Sequence, residues 1–134
     1  MNTKIRGYKQ EDHNLIASTF LKGVYYGNEF YGMIDKNVFM ANYKYIFEAL
    51  IAQNLIKIAC LPDDEDTVLG YSILTKDLTV AHWVFIKKDW RAKFCIFKLL
   101  VPPSITTYSH FSTQGLQIAK KCFPNSTFNP FRLV

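Results

Sequence analysis

The apolar positions of this chain change period several times, and each change marks an element. Lys4 to Tyr8 alternates as a first strand. Glu11 and Asp12 then put acid where a helix N-terminus favours it, ahead of Leu15, Ile16 and Phe20 at helical spacing. Gly23 to Gly32 (GVYYGNEFYG) keeps neither period and is rich in glycine, which predicts a loop between helices whose tyrosines either line a site or cover the core, with covering favoured. Asp35 is the predicted N-cap of a helix reaching Gln53, with Phe39, Tyr43, Ile46, Phe47, Leu50 and Ile51 as its apolar stripe.

Beyond that helix the period drops to two. Leu55 to Leu61 reads as a strand, LPDDED as an acidic turn without the glycine of a calcium loop, and Thr67 to Leu74 as a second strand with Gly70 inside it. A turn at Thr75 to Asp77 leads into Leu78 to Lys87, so the strands form an antiparallel meander. A helix from Ala92 to Val101 is ended by Pro102 and Pro103, Ile105 to Ser109 is β-rich, and Ser112 or Thr113 caps a helix reaching Cys122. The tail has room for one edge strand. This order predicts an α/β fold: a mixed, mostly antiparallel central sheet with helices on both faces, and a right-handed parallel crossover after Leu78. With no repeat or linker in sight, residues 1–134 are expected to form a single domain.

Composition narrows the function classes. Hydrophobic residues make up 49% of the chain, yet no apolar run approaches the ~18 residues of a membrane span. The first residues, MNTKIRGYKQEDHN, lack the pattern of a secretory signal, so residence inside a cell is expected. Cys60, Cys95 and Cys122 are odd in number and far apart, which points to free buried thiols rather than disulfides or a zinc pair, and no metal site is expected. The net charge of +5 suits an acidic partner, such as a phosphorylated cofactor, nucleic acid or an acidic protein, and equally a solvated lysine-rich surface.

The charge concentrates where it has chemical meaning. Between Val80 and Leu100 an apolar strand runs through a basic turn into an amphipathic helix, and Lys87, Lys88, Arg91 and Lys93 surround the turn. A helix start with its unpaired amides suits an anion, but this turn contains no glycine and its backbone carries Phe94, Cys95 and Ile96. Phe85, Trp90, Phe94 and Phe97 beside the lysines and Lys98 also give a nucleic-acid reading, although their spacing suits burial of Phe94 and Phe97.

The element order, together with the phrases IACLPDDEDTVLGYSI, VAHWVFIKKDWR, ITTYSHFS and FNPF, resembles the GCN5-related N-acetyltransferase (GNAT) superfamily, and within it small acetyltransferase-like proteins of tailed bacteriophages. The resemblance implies a three-layer GNAT-like fold, acetyl-CoA as cofactor, and a location in the cytoplasm of a host cell or in a virion. It also implies a central strand splayed from its neighbour, with Trp83, Val84, Phe85 and Ile86 offering backbone to the pantetheine. The pyrophosphate turn of that family, Gln/Arg-x-x-Gly-x-Gly/Ala, falls on Arg91, Ala92, Lys93, Phe94, Cys95 and Ile96. Here the arginine is kept and both small positions are replaced, by Phe94 and Ile96, so the implied turn is degenerate. The family's tyrosine acid on the last helix is missing, since no tyrosine follows Tyr108.

Acetyl transfer to an amine needs a base near neutral pH and donors for the leaving thiolate. His82 and His110 are the candidates for the first, Tyr108 and Ser112 for the second. For a lone strand histidine, a hydrogen-bonded structural role is the competing reading. His13 is expected to be exposed, and a cysteine–histidine pair from Cys60 or Cys122 has no spacing to support it. Three functions stay open: an acetyl-CoA-dependent N-acetyltransferase, an inactive domain that works by contact as a virion component or binder of a host protein, and a nucleic-acid binder.

Overall fold

The computed structural model describes residues 3–91 and 95–132. The chain runs β1 (Lys4–Gly7), α1 (His13–Gly27), α2 (Glu29–Gly32), α3 (Lys36–Gln53), β2 (Leu55–Leu61), β3 (Asp64–Leu74), β4 (Val80–Ile86), α4 (Ile96–Leu100), β5 (Thr107–Tyr108), α5 (Thr113–Cys122) and β6 (Thr127–Phe128). One six-stranded sheet holds them in the order β1-β2-β3-β4-β5-β6. The first four strands pair antiparallel, and β4–β5 and β5–β6 pair parallel. Among the described residues no helix is long and apolar enough to cross a membrane.

Each face of the sheet carries its own core. On one face Ile16, Phe20 and Val24 of α1 and Phe39, Tyr43, Phe47 and Leu50 of α3 pack with Tyr71, Ile73 and Trp83. Their spacing of three and four residues is that of a single helical stripe. Ile46, expected in that stripe, is 37% exposed, because a wide stripe turns its flank to solvent. On the other face Leu69, Leu74 and Ala81 pack against Ile96 and Leu100 of α4.

Local chemistry sets the helix starts. The Asp35 carboxylate accepts from the amides of Asn37 and Val38 at 3.0 and 3.2 Å, two donors that a helix start otherwise leaves unpaired. Arg6 of β1 grips Asp12, just ahead of α1, through two hydrogen bonds of 2.8 and 2.9 Å, with both side chains under a tenth exposed. That Asp12 carboxyl is held below its usual range although burial pushes it upward, because Arg6 and the Lys9 amide donate to it.

Several boundaries differ from the sequence reading. Gly23 to Gly27 is helix, not loop, and Glu29–Gly32 is a further helical turn capped by Asn28. The glycines of α1 serve close packing: a Cβ on Gly23 would lie 2.4 Å from Cζ2 of Trp83, and one on Gly27 would lie 2.7 Å from Cβ of Ser112. β3 begins at Asp64, three residues early, so the acidic run is partly strand. α4 starts only at Ile96, after Cys95 in a left-handed conformation (φ 52°), and spans five residues. The expected Ile105–Ser109 strand is reduced to Thr107–Tyr108, and the tail does supply an edge strand.

A register shift in β4 bears on the geometry of the site. Ile73 faces Trp83 and Leu74 faces Ala81, so His82 is the extra residue of a β-bulge in β4. The bulge switches the side-chain alternation: Ala81 belongs to the α4 face, whereas Trp83 belongs to the α1–α3 face. A similar shift at Leu69 lies in β3.

Substitution Gly23→Ala tests the packing. The added methyl must displace the indole of Trp83 from a filled core, and urea denaturation should show a loss of about 1–3 kcal/mol. Unchanged stability would show that Trp83 does not press on α1.

Candidate functional site

The pairing of β4 with β5 is short. Val80 faces Thr107, Ala81 faces Tyr108, and the Ser109 amide donates to the Ala81 carbonyl at 3.2 Å; beyond that point the strands separate. A cavity of about 1000 Å³ fills the space between them, at the upper end of the range for small-molecule and cofactor sites. Trp83, Val84, Phe85 and Ile86 form one wall, and Tyr108, His110, Phe111 and Ser112 line the other. Helix α5 runs along it, with its start against α1 (Thr113 Oγ1 donates to Gly27 O at 3.3 Å) and its end against α4 (Phe97 and Phe123 ring centroids 6.1 Å apart).

The cavity edge of β4 is backbone. The Lys87 amide donates to Leu69 O of β3, and alternation then turns the amide and carbonyl of Val84 and the amide of Ile86 away from β3, toward the gap. The Ile86 carbonyl, on the same edge, accepts from Nε of Arg91 at 3.0 Å. An extended ligand with amide groups could pair with such an edge as an added strand does.

The basic residues are distributed otherwise than expected. Arg91 lines the cavity, as do Lys22 of α1 and Lys121 of α5, which sequence reasoning missed. Lys87 lies instead in a separate cleft with Lys9 and Glu11. Ala92, Lys93 and Phe94, the middle of the expected phosphate turn, lie outside the described residues. Cys95 is exposed, and Ile96 is 1% exposed in the α4 core; neither lines the cavity. The helix that follows is too short to bring much dipole to an anion.

The candidate catalytic residues divide. Tyr108 lines the cavity, packs against Phe111 and Phe128, and its hydroxyl has no hydrogen-bond partner among the described residues. The Ser112 hydroxyl accepts from the Gly115 amide at 3.0 Å as the cap of α5, which leaves its own proton free to donate. His82 is fully buried and is not part of the cavity wall, because the bulge directs it away toward α3. His13 is hydrogen-bonded between Tyr8 and Glu48 and only partly exposed, not free in solvent. Cys60 is buried, while Cys95 and Cys122 are exposed, which corrects the expectation of three buried thiols.

His82 and His110 belong to one hydrogen-bond chain whose direction can be worked out. The Asn54 amide nitrogen donates to Leu50 O, which leaves its Oδ1 to accept from His82 Nε2 at 3.1 Å. His82 Nδ1 then accepts from the Ser109 hydroxyl at 2.6 Å, and the Ser109 oxygen accepts from His110 Nδ1 at 2.9 Å. His110 Nε2 accepts from the Tyr43 hydroxyl at 2.6 Å, and the Tyr43 oxygen faces the Tyr31 hydroxyl at 3.4 Å. Every donor has one acceptor and both imidazoles are neutral. Burial pushes the pKa of each down to about 4, helped at His82 by Arg132 and at His110 by His82. Burial also raises Tyr43. Asn54, Tyr43 and Ser109 carry no motif, and only three-dimensional contact reveals them.

No family model matches the chain and no curated protein matches it. Among solved structures it is similar to a GCN5-related N-acetyltransferase from Rhodopseudomonas palustris, with 17% identity and a TM-score of 0.47 over 69% of this chain and 57% of that one. It is also similar to a possible acetyltransferase from Clostridium difficile 630, with 14% identity and a TM-score of 0.47 over 96% of this chain and 80% of that one. The match thus spans little more than half of the Rhodopseudomonas chain. Among the described residues no group of three or more His, Cys, Asp or Glu could hold a metal ion.

The histidine chain has a pH signature. Both rings titrate lower in the folded state than the ~6.5 of a free histidine, so the unfolded chain binds more protons as the pH falls. Their stabilisation is complete above pH ~6.5 and is lost as the pH drops toward 4. Tm should fall by roughly 10 °C between pH 7 and pH 5, and His110→Asn should lower Tm at pH 7 while flattening that slope. An unaltered slope in the variant would mean that the ring is not held neutral.

Proposed function

We propose that the chain is an acyl-CoA-dependent N-acyltransferase of the GNAT type, with its thioester site between β4 and β5. The observation that carries this reading is the cavity between two briefly paired parallel strands, with the backbone edge of β4 facing into it. The element order supports it as well.

The residues present fit an acyl-CoA along its thiol arm. The Val84 and Ile86 backbone would pair with the amides of the arm, Trp83 and Phe85 would enclose it, and Arg91 and Lys121 would meet the phosphates. The family's phosphate turn does not supply the small residues, because Ile96 is a core residue of α4. Phosphate recognition therefore rests on side-chain cations. Acetyl-CoA, when bound, supplies an acyl group activated as a thioester. The Tyr108 hydroxyl is the donor available to protonate the departing sulfur, and Ser112 is the second donor on that wall. His82 and His110 hold the wall between β4 and α3 and are positioning residues, since neither has a lone pair free for a proton.

A second reading, a domain that works by contact in a virion or on a host protein, is favoured by Phe30, Met33 and Tyr45, which are 64%, 75% and 68% exposed along the helices. Thermal melting separates the two. A ligand that binds only the folded chain raises Tm, so CoA at about 100 times its Kd should add about 2.7 kcal/mol of stability. No shift at millimolar CoA would leave the contact reading. Salt-sensitive retention on DNA would point instead to nucleic acid. In an active enzyme Tyr108→Phe should lower kcat by roughly 10²–10⁴-fold with CoA binding retained, and full activity in that variant would remove Tyr108 as the acid.

A further inference from the structure

We propose that the acceptor of this site is an aromatic amine bearing an acidic group, and that Lys22 selects it. This rests on the acyltransferase reading above and adds the substrate class. The described residues lining the cavity include three cations, Lys22, Arg91 and Lys121, and no aspartate or glutamate. Arg91 and Lys121 belong to the α4 end and are accounted for by the phosphates. Lys22 belongs to the α1 end, where Gly27 and Ser112 bring α1 against the start of α5.

An aliphatic amine such as a polyamine or a lysine side chain reaches the site as an ammonium ion. It would meet Lys22 with no carboxylate to offset the repulsion, and it must lose a proton before its nitrogen can attack. Among the described residues the histidine of the wall is no base for that proton before attack: His110 Nε2 already accepts from Tyr43 at 2.6 Å, and the ring stays neutral down to a pH of about 4. An aromatic amine avoids both costs, because its lone pair is shared with the ring and the nitrogen is unprotonated at neutral pH. Tyr26, Trp83, Tyr108 and Phe111 line the same cavity and offer ring faces and edges to it. An acidic substituent would pair with the Lys22 ammonium.

The chemistry balances without another reactant. The nitrogen lone pair forms the bond to the acyl carbon, and the carbon–sulfur bond breaks with its electrons going to sulfur. Sulfur takes the Tyr108 proton, and the surplus proton on nitrogen returns to the Tyr108 oxygen, directly or through water. The products are an N-acetyl arylamine and the free thiol.

The test incubates the full chain and acetyl-CoA with 4-aminobenzoate, aniline or spermidine and quantifies the acetylated product by mass spectrometry, since the exposed Cys95 and Cys122 would react with thiol dyes. The expected kcat/KM for 4-aminobenzoate is at least tenfold above that for spermidine. Lys22→Glu should reduce the 4-aminobenzoate-to-aniline ratio about tenfold, through KM. Lys22 is exposed, and an unchanged Tm confirms that the variant folds. Preference for spermidine, an unmoved ratio in Lys22→Glu, or no acetylation of any of the three by a chain whose Tm rises with CoA overturns the acceptor assignment alone. Absence of that rise overturns the acyltransferase reading beneath it.

Discussion

Parallel strands gain a ladder hydrogen bond for nearly every residue they keep in register, and β4 and β5 forgo most of that gain. They pair at two positions and then part. One residue further along lies the bulge at His82, and a bulge increases the local twist of the strand that carries it. The cavity, the backbone edge facing it and the wall of aromatic rings all follow from that separation. A fully zipped pair would leave no space for a ligand between the strands.

Such an opening must be held, since backbone turned toward a gap costs free energy unless water or a ligand satisfies it. The chain from Asn54 through His82, Ser109 and His110 to Tyr43 does the holding. It ties α3, the bulge and the segment after β5 into one unit just where the ladder stops. A fully satisfied buried network is rigid, and here its direction leaves no proton unassigned. The same property holds both imidazoles neutral, with each ring nitrogen already hydrogen-bonded. Burial moves both rings well below the pKa of a histidine in solution, because their surroundings disfavour charge.

Much of the fold was legible in the sequence. Asp35 and the stripe from Phe39 to Leu50 located α3, Leu55 to Leu61 was readable as a strand from its alternation, and the crossover from β4 to β5 followed from chain order and handedness. What misled were residues whose role depends on a distant partner. Gly23 and Gly27 read as loop punctuation because glycine usually breaks helices, whereas here a helix needs them to admit Trp83 and Ser112. That error hid Lys22 and Tyr26, one helical turn apart on α1, as parts of a single surface. Of the residues the sequence singled out as candidates, Val84 to Ile86, Arg91, Tyr108, His110 and Ser112 line the cavity. The bulge at His82 was not visible, since an extra residue in one strand is defined only against the register of its neighbour.

The cations that line the cavity stand on three parts of the fold: Lys22 on α1, Arg91 after β4 and Lys121 on α5. A glycine turn binds phosphate through amides at fixed positions and leaves the rest of the site free to carry either charge. Side-chain cations such as Arg91 and Lys121 act through longer-range attraction, which reaches beyond the groups they touch. A cavity with three cations and no aspartate or glutamate among its described lining residues favours anionic groups over cationic ones. Charge at one end of the slot therefore bears on what can enter at the other.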